Sequence, residues 1–130
     1  MGDWKILGFE EVPDLMEDYP GEFRMATGPL GNEQVAVTYR RMPAGTGGKG
    51  SYGHRHHTQE EVYVVLHGSA EFKLDDEVFE AGPLTAVRVA PKVVRSVWNE
   101  GPDDVELLVV STRIDDLMAD VEKVPDFWPV

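Results

Sequence analysis

Residues 53–68 read GHRHHTQEEVYVVLHG, a histidine cluster followed by a run of β-branched and aromatic residues. Residues two apart in a strand share a face, so His54 and His56 are expected to point the same way, with backbones roughly 7 Å apart. That spacing lets both imidazoles reach one cation at about 2.1 Å. If residues 57–60 fold over, Glu61 brings a carboxylate to the same point.

Two imidazoles and one carboxylate form a ligand set that suits Fe(II), Mn(II), Ni(II) or Zn(II) and leaves positions open for substrate or oxygen. The sequence therefore predicts a divalent metal centre at His54, His56 and Glu61. The alternative is a solvated loop in which these side chains bind nothing. His57 and Gln59 are weaker ligand candidates, because a regular strand turns His57 away from the other two histidines.

Short apolar segments separated by glycine, proline and acidic turns surround this stretch on both sides. Five glycines within residues 45–53 predict a loop with special backbone angles. Short strands with frequent turns are typical of an antiparallel sandwich or barrel. Alternating or β-branched residues predict strands at 35–40, 61–67, 70–74, 78–79, 85–90, 93–99 and 105–111.

The two ends of the chain are less regular. Apolar residues at spacings of three and four predict one short helix over residues 114–121. The N-terminal 25 residues are ambiguous, and an edge strand around residues 6–7 together with a short helical turn around residues 13–16 is one interpretation of them. The apolar pair Phe127 and Trp128 is expected to dock on the barrel or on a second subunit.

Composition limits the classes of partner. The chain has 130 residues, no cysteine and a net charge of −12, which indicates one domain without disulfides or thiolate metal sites. Nucleic acid and anionic membrane surfaces are poor partners for such a protein. Residues 1–33 and 100–130 carry this acidity, whereas residues 34–99 are almost neutral and contain all four histidines. An acidic start without an apolar core, and no long apolar run, predict a cytoplasmic location.

The histidine stretch resembles the first cupin motif, in which a glycine-rich segment leads into His-x-His, four residues, Glu, six residues and Gly. His54, His56, Glu61 and Gly68 keep that spacing.

The second cupin motif, expected at residues 82–99, is matched in part. Gly82 and Asn99 are present and Pro91 lies near the expected turn. Lys92 stands where the turn glycine is usual, and Arg95 stands where the family has its fourth ligand, a histidine.

The resemblance implies an all-β antiparallel double-stranded β-helix, or jelly-roll barrel, with a short C-terminal helix. It covers residues 1–130 as one domain, with a barrel core at about 34–112 and flanking segments at 1–33 and 113–130. It also implies a homodimer and a ligand inside the barrel.

By strand parity, Arg95 and Asn99 would then line the interior, and a guanidinium cannot bind a metal. In one arrangement, His54, His56 and Glu61 hold the metal while Arg95 binds an anionic group of the substrate. In the other, no metal is present and Arg95 pairs with Glu61.

Weaker candidates surround this set. Tyr63 and Asn99 are predicted to contact the substrate with Arg95, and Tyr63 also belongs to the barrel wall. A cavity role for Arg41 is a further alternative. His67 lies roughly 20 Å along the strand from Glu61 and is expected at the surface.

Three functions stay open at this point. The first is a metal-dependent enzyme, a dioxygenase or an isomerase, acting on a small organic molecule. The second is a non-catalytic barrel that binds a small anionic ligand without metal, with Arg95 replacing the metal charge. The third is a structural barrel whose site has decayed.

Overall fold

The computed structural model describes residues 3–130, in which eleven strands form two facing antiparallel sheets. The strands are β1 (Glu22–Met25), β2 (Val35–Met42), β3 (Thr46–Gly47), β4 (Ser51–His56), β5 (Glu61–His67), β6 (Ala70–Leu74), β7 (Glu77–Ala81), β8 (Ala86–Val89), β9 (Arg95–Asn99), β10 (Val105–Thr112) and β11 (Val121–Trp128). The helices are α1 (Thr27–Leu30) and α2 (Leu117–Asp120), and a 3-10 turn spans Phe9–Glu11.

The predicted all-β antiparallel architecture is confirmed. One sheet has the order β1-β2-β10-β5-β8, and the other has the order β11-β4-β9-β6-β7, with β3 paired to β9. The interleaving of early and late strands closes the barrel, so that β4 and β5 face each other across its interior. None of the helices in residues 3–130 is long and apolar enough to cross a membrane.

The core follows from strand parity. Alternate residues of β5 and β10 point inward, which buries Tyr63, Val65 and Leu107. Phe72 of β6 is fully buried and meets the Tyr63 ring edge-on, with ring centroids 5.5 Å apart. This apolar layer fills the centre of the barrel and leaves the polar residues of β4 and β5 at one end.

The C-terminal helix is shorter than residues 114–121. It spans only Leu117–Asp120, and Met118 on it is 83% exposed. Val121 begins β11 instead, because the following residues hydrogen-bond along the outer edge of β4. Pairing of a free strand edge therefore outweighs the weak helical periodicity.

Neither of these two N-terminal elements is present. Residues 6–7 and 13–16 have no regular structure, and Ile6 is 85% exposed. The N-terminal flank contributes β1, which pairs with β2, and the short helix α1.

The apolar tail packs on the barrel of its own chain. Trp128 is 5% exposed and its carbonyl accepts from the backbone N–H of Gly50, while Phe127 lies under the ammonium of Lys73, 3.8 Å from the ring centroid. A Cβ on Gly53 would collide with the Phe127 ring and with the backbone oxygen of Arg95. Glycine at position 53 therefore lets β11 approach β4 closely.

Trp128→Ala should lower the free energy of unfolding by about 3 to 5 kcal/mol, because it empties a buried aromatic site that anchors β11. Urea denaturation measures the change. Met118→Ala is the control and should change stability by less than about 0.5 kcal/mol, since its side chain is exposed. Equal stability of the two variants would contradict this packing.

Candidate functional site

The three predicted metal ligands converge inside the barrel. His54 and His56 project from β4, and Glu61 projects from the start of β5. Glu61 Oε1 lies 3.7 Å from His54 Nε2 and 3.5 Å from His56 Nε2. One ligand atom from each of the three residues falls within 4.8 Å of the others. Residues 57–60 therefore fold over, which is the condition under which Glu61 reaches the two histidines.

Asp120 orients His56 from the opposite side. Its Oδ2 lies 3.1 Å from His56 Nδ1, and it also accepts from the backbone N–H of Gln59, while Oδ1 accepts from Thr58. An acceptor on Nδ1 holds the proton there and leaves a lone pair on Nε2. His56 Nε2 is buried and has no hydrogen-bond partner within residues 3–130.

This arrangement fits a divalent metal ion. Atoms bound to one ion at about 2.1 Å lie roughly 3 to 3.5 Å apart at octahedral or tetrahedral angles, close to the separations between Glu61 and the imidazoles. A buried, unpartnered imidazole nitrogen is costly in a folded protein, and a metal bond would satisfy it. The carboxylate–histidine pair of Asp120 and His56 is the outer-shell contact that metal-binding histidines commonly make.

Arg95 lies beside the same carboxylate. Its side chain is fully buried, and its Nε is 3.4 Å from Glu61 Oε1. The two terminal nitrogens donate to the backbone oxygens of Pro91, Val93 and Ala90 at 2.9 to 3.3 Å. The guanidinium thus neutralises Glu61 while carbonyl groups hold it in place, which is the contact that the metal-free arrangement requires.

Tyr63 completes the surroundings of Glu61. Its hydroxyl donates to Glu61 Oε1 at 2.9 Å, and the residue is 5% exposed. Burial raises the pKa of Glu61, but the hydrogen bond from the His54 imidazole and the charge of Arg95 lower it more, so the pKa lies well below its ordinary value. Glu61 is therefore ionised at neutral pH. Burial and the negative charge of Glu61 raise the pKa of Tyr63, which keeps its proton.

Other sequence candidates lie away from this centre. The Asn99 side chain donates to the backbone oxygens of Met42 and Asp103 and accepts from Gly101, and its contact with a substrate stays a prediction. Gln59 donates to Ser111 and Thr112. His57 and His67 are exposed.

A cavity of about 590 Å³ opens from the site between the two sheets. His54, Tyr63 and Arg95 line one part of it, and Arg40 and Tyr19 line another.

Sequence reasoning missed two residues here. Arg40 of β2 lines the cavity, whereas Arg41 points outward to ion pairs with Glu22 and Asp104. The alternation of Val35, Val37 and Tyr39 in the sequence favours the face of Arg41. In the structure the buried residues of β2 are Thr38 and Met42, on the face of Arg40. No signal pointed to Asp120, which lay within the predicted helix.

Comparisons with known proteins agree with the two-sheet barrel described above. A family model described as a cupin domain matches residues 40–111, more than half of the chain. An uncharacterized protein of Methanocaldococcus jannaschii is 33% identical over 58 residues, which cover 45% of this chain and 46% of that relative. The matched segment thus spans about half the length of the curated relative.

Two solved structures show the fold. The polyketide cyclase RemF from Streptomyces resistomycificus superposes with a TM-score of 0.74 at 18% identity, covering 95% of this chain and 85% of that chain. A sugar phosphate isomerase from a cupin superfamily of Silicibacter pomeroyi gives 0.70 at 17% identity, covering 97% and 96%. At these identities the likeness extends to the fold alone.

Glu61→Gln should destabilise the chelator-treated protein by about 3 kcal/mol, because it leaves the buried guanidinium of Arg95 without its carboxylate. Urea denaturation measures the loss. The double variant Glu61→Gln/Arg95→Met should recover part of it, since the uncompensated charge is then gone. If Glu61→Gln were as stable as the wild type, the ion pair would not be a structural element.

Proposed function

This chain belongs to the cupin family, and from that premise we propose that its barrel binds a divalent metal ion through His54, His56 and Glu61 and acts on a small organic molecule. The reaction proposed is that of a metal-dependent dioxygenase or isomerase. The names of two fold neighbours, a polyketide cyclase and a sugar phosphate isomerase, support chemistry on small organic substrates in a barrel of this shape.

One observation carries the proposal. His56 Nε2 is buried and unpartnered within residues 3–130, it faces Glu61, and Asp120 accepts at the other ring nitrogen. Packing alone does not require a carboxylate at Nδ1 of a histidine. Here the Asp120 carboxylate at Nδ1 directs the lone pair of His56 Nε2 to the interior. Fe, Mn, Ni and Zn all accept two imidazoles and a carboxylate.

The residues of the chain have separable tasks in this proposal. A bound metal would supply Lewis acidity or redox chemistry next to the cavity. His54 has a side chain that is 32% exposed, so it lies where the centre meets the open part of the cavity. Tyr63 keeps its proton and donates it in a hydrogen bond to Glu61, which fixes the carboxylate. Arg95 limits the negative charge that remains at the centre.

A second candidate is a non-catalytic barrel that binds a small ligand without metal. The contact between Arg95 Nε and Glu61 Oε1 favours it, because the guanidinium already supplies positive charge beside the carboxylate. In this case, the two histidines and the cavity serve for binding alone.

The proposal also includes the binding partners that the sequence predicts. The partner is a small molecule, and neither nucleic acid nor a membrane is expected, because the chain carries a net charge of −12. A homodimer and a cytoplasmic location are also part of the proposal.

Metal analysis of protein purified without added metal tests the first candidate. The wild type should contain a near-stoichiometric divalent ion, and His54→Ala and His56→Ala should lose it. Asp120→Asn should weaken metal binding by about 10- to 100-fold, because it removes the acceptor that orients His56.

The control for the metal experiment is His67→Ala, since His67 is exposed at the far end of β5 and should not affect metal content. Arg95→His should bind the metal more tightly than the wild type by offering another imidazole in place of a repelling cation. Trace metal that none of these variants changes would reject the metal centre and favour the metal-free candidate.

Light scattering during size-exclusion chromatography tests the dimer. The wild type should show twice the mass of the 14.5 kDa chain. Phe127→Ala should leave that mass unchanged, because Phe127 contacts Lys73 of its own barrel. A monomeric wild type would contradict the dimer, and a dimer lost only in Phe127→Ala would place the tail in the interface.

A further inference from the structure

Arg40 projects from β2 into the cavity. Its cross-strand partners are Phe23 on β1 and Leu107 on β10, and directly paired residues of antiparallel strands share a face. Leu107 is fully buried, as is Met42 two residues further along β2. The guanidinium of Arg40 therefore enters the barrel from the sheet opposite His54.

This guanidinium has no anionic partner within residues 3–130. Arg40 is absent from the ion pairs there, and the arginines that form them are Arg24, Arg41, Arg55, Arg88, Arg95 and Arg113. The Nε of Arg40 is buried and makes no hydrogen bond. An arginine with a buried, unpaired nitrogen is destabilising unless something else satisfies it.

The groups around Arg40 are phenols. Burial lowers the pKa of Arg40, and Tyr63, Tyr19 and Tyr52 are the titratable groups that oppose this effect. An arginine stays protonated under such conditions, so a positive charge faces the cavity. No Asp or Glu within residues 3–130 lines this cavity, and Glu61, which contacts His54, is already balanced by Arg95.

The rest of the cavity wall is mostly apolar. Tyr19 and Tyr52, each close to half exposed, stand at the rim, and the hydroxyl of Tyr19 is fixed by the backbone of Gly47. The apolar part of the lining consists of Leu15, Met16, Phe23 and Val97.

We propose that Arg40 is a binding residue whose guanidinium holds the carboxylate of a small, largely apolar organic acid in this cavity. The inference rests on the proposed function in placing the other end of that ligand near His54 and Glu61. It assigns to Arg40 the anion-binding role that the sequence suggested for Arg95, whose terminal nitrogens are all engaged by backbone oxygens.

A carboxylate suits this cavity better than a phosphate. One planar guanidinium matches one carboxylate through two parallel hydrogen bonds. The backbone N–H groups of Gly47 and Gly48, which line the cavity, already donate to Tyr19 and Val97, so they do not add to a phosphate site. A cavity of about 590 Å³ is large enough for a small organic acid.

Thermal-shift and calorimetric titrations with matched pairs test the inference. The pairs are benzoate with benzamide and phenylacetate with phenylacetamide, and phenyl phosphate serves as a third arm. The carboxylates should raise the Tm of the wild type and the neutral amides should not. Arg40→Met should weaken carboxylate binding by about tenfold or more. Arg41→Met, the neighbour that points outward, should bind like the wild type.

A second measurement needs no ligand. Arg40 is a half-buried cation whose Nε is buried without a partner. Replacing it by an apolar side chain of similar length should raise the Tm of the free protein, so Arg40→Met is expected to melt a few degrees higher than the wild type. Arg41→Met should melt at or below the wild-type temperature, because it loses two ion pairs. A free Arg40→Met that melts lower than the wild type would show that Arg40 has a structural role.

Failure of this inference and failure of the metal centre are distinguishable. His54→Ala, which should lose the metal, keeps Arg40 and should still prefer benzoate to benzamide. A wild type that binds metal but shows no preference for either carboxylate, or that prefers phenyl phosphate to both, would overturn the inference and leave the metal centre standing. A wild type that binds the carboxylates but contains no metal would support the role of Arg40 and reject the metal centre.

Discussion

The arrangement of the barrel interior depends on one buried carboxylate oxygen. Glu61 Oε1 accepts the hydroxyl of Tyr63 and lies within 3.7 Å of nitrogens from His54, His56 and Arg95. A carboxylate this deeply buried must be compensated, because an unpaired charge in the interior is strongly destabilising. The close packing of β4 and β9 against the start of β5 supplies that compensation.

The second constraint on the interior is the orientation of the His56 ring. Two histidines on one strand face are common, but a ring nitrogen becomes a useful ligand only when its partner nitrogen is held. Asp120 supplies this for His56, and the same carboxylate closes the turn at Thr58 and Gln59. The orientation of the His56 ring and the shape of the turn therefore depend on one residue outside the β4–β5 connection.

The sequence predicts the parts of this structure that are local. Strand parity and one turn predict that His54, His56 and Glu61 meet, and their side chains lie close together in the fold. Contacts between distant segments were not predictable. Asp120 lies 64 residues from His56, and its segment has a periodicity that favours a longer helix. Arg40 and Arg41 are chemically equivalent in the sequence, and only the register of β2 with β10 decides which one faces inward.

Gly53 lies against both Phe127 of β11 and the backbone of Arg95, which limits the substitutions that position 53 can accept. Any side chain there would displace both Phe127 and the backbone of Arg95. A substitution at this position therefore requires simultaneous adjustment of the closing strand and of the charge beside Glu61. We therefore expect substitutions at Gly53, Phe127 and Arg95 to occur together among descendants of this chain. The C-terminal strand and the charge beside Glu61 would then evolve together.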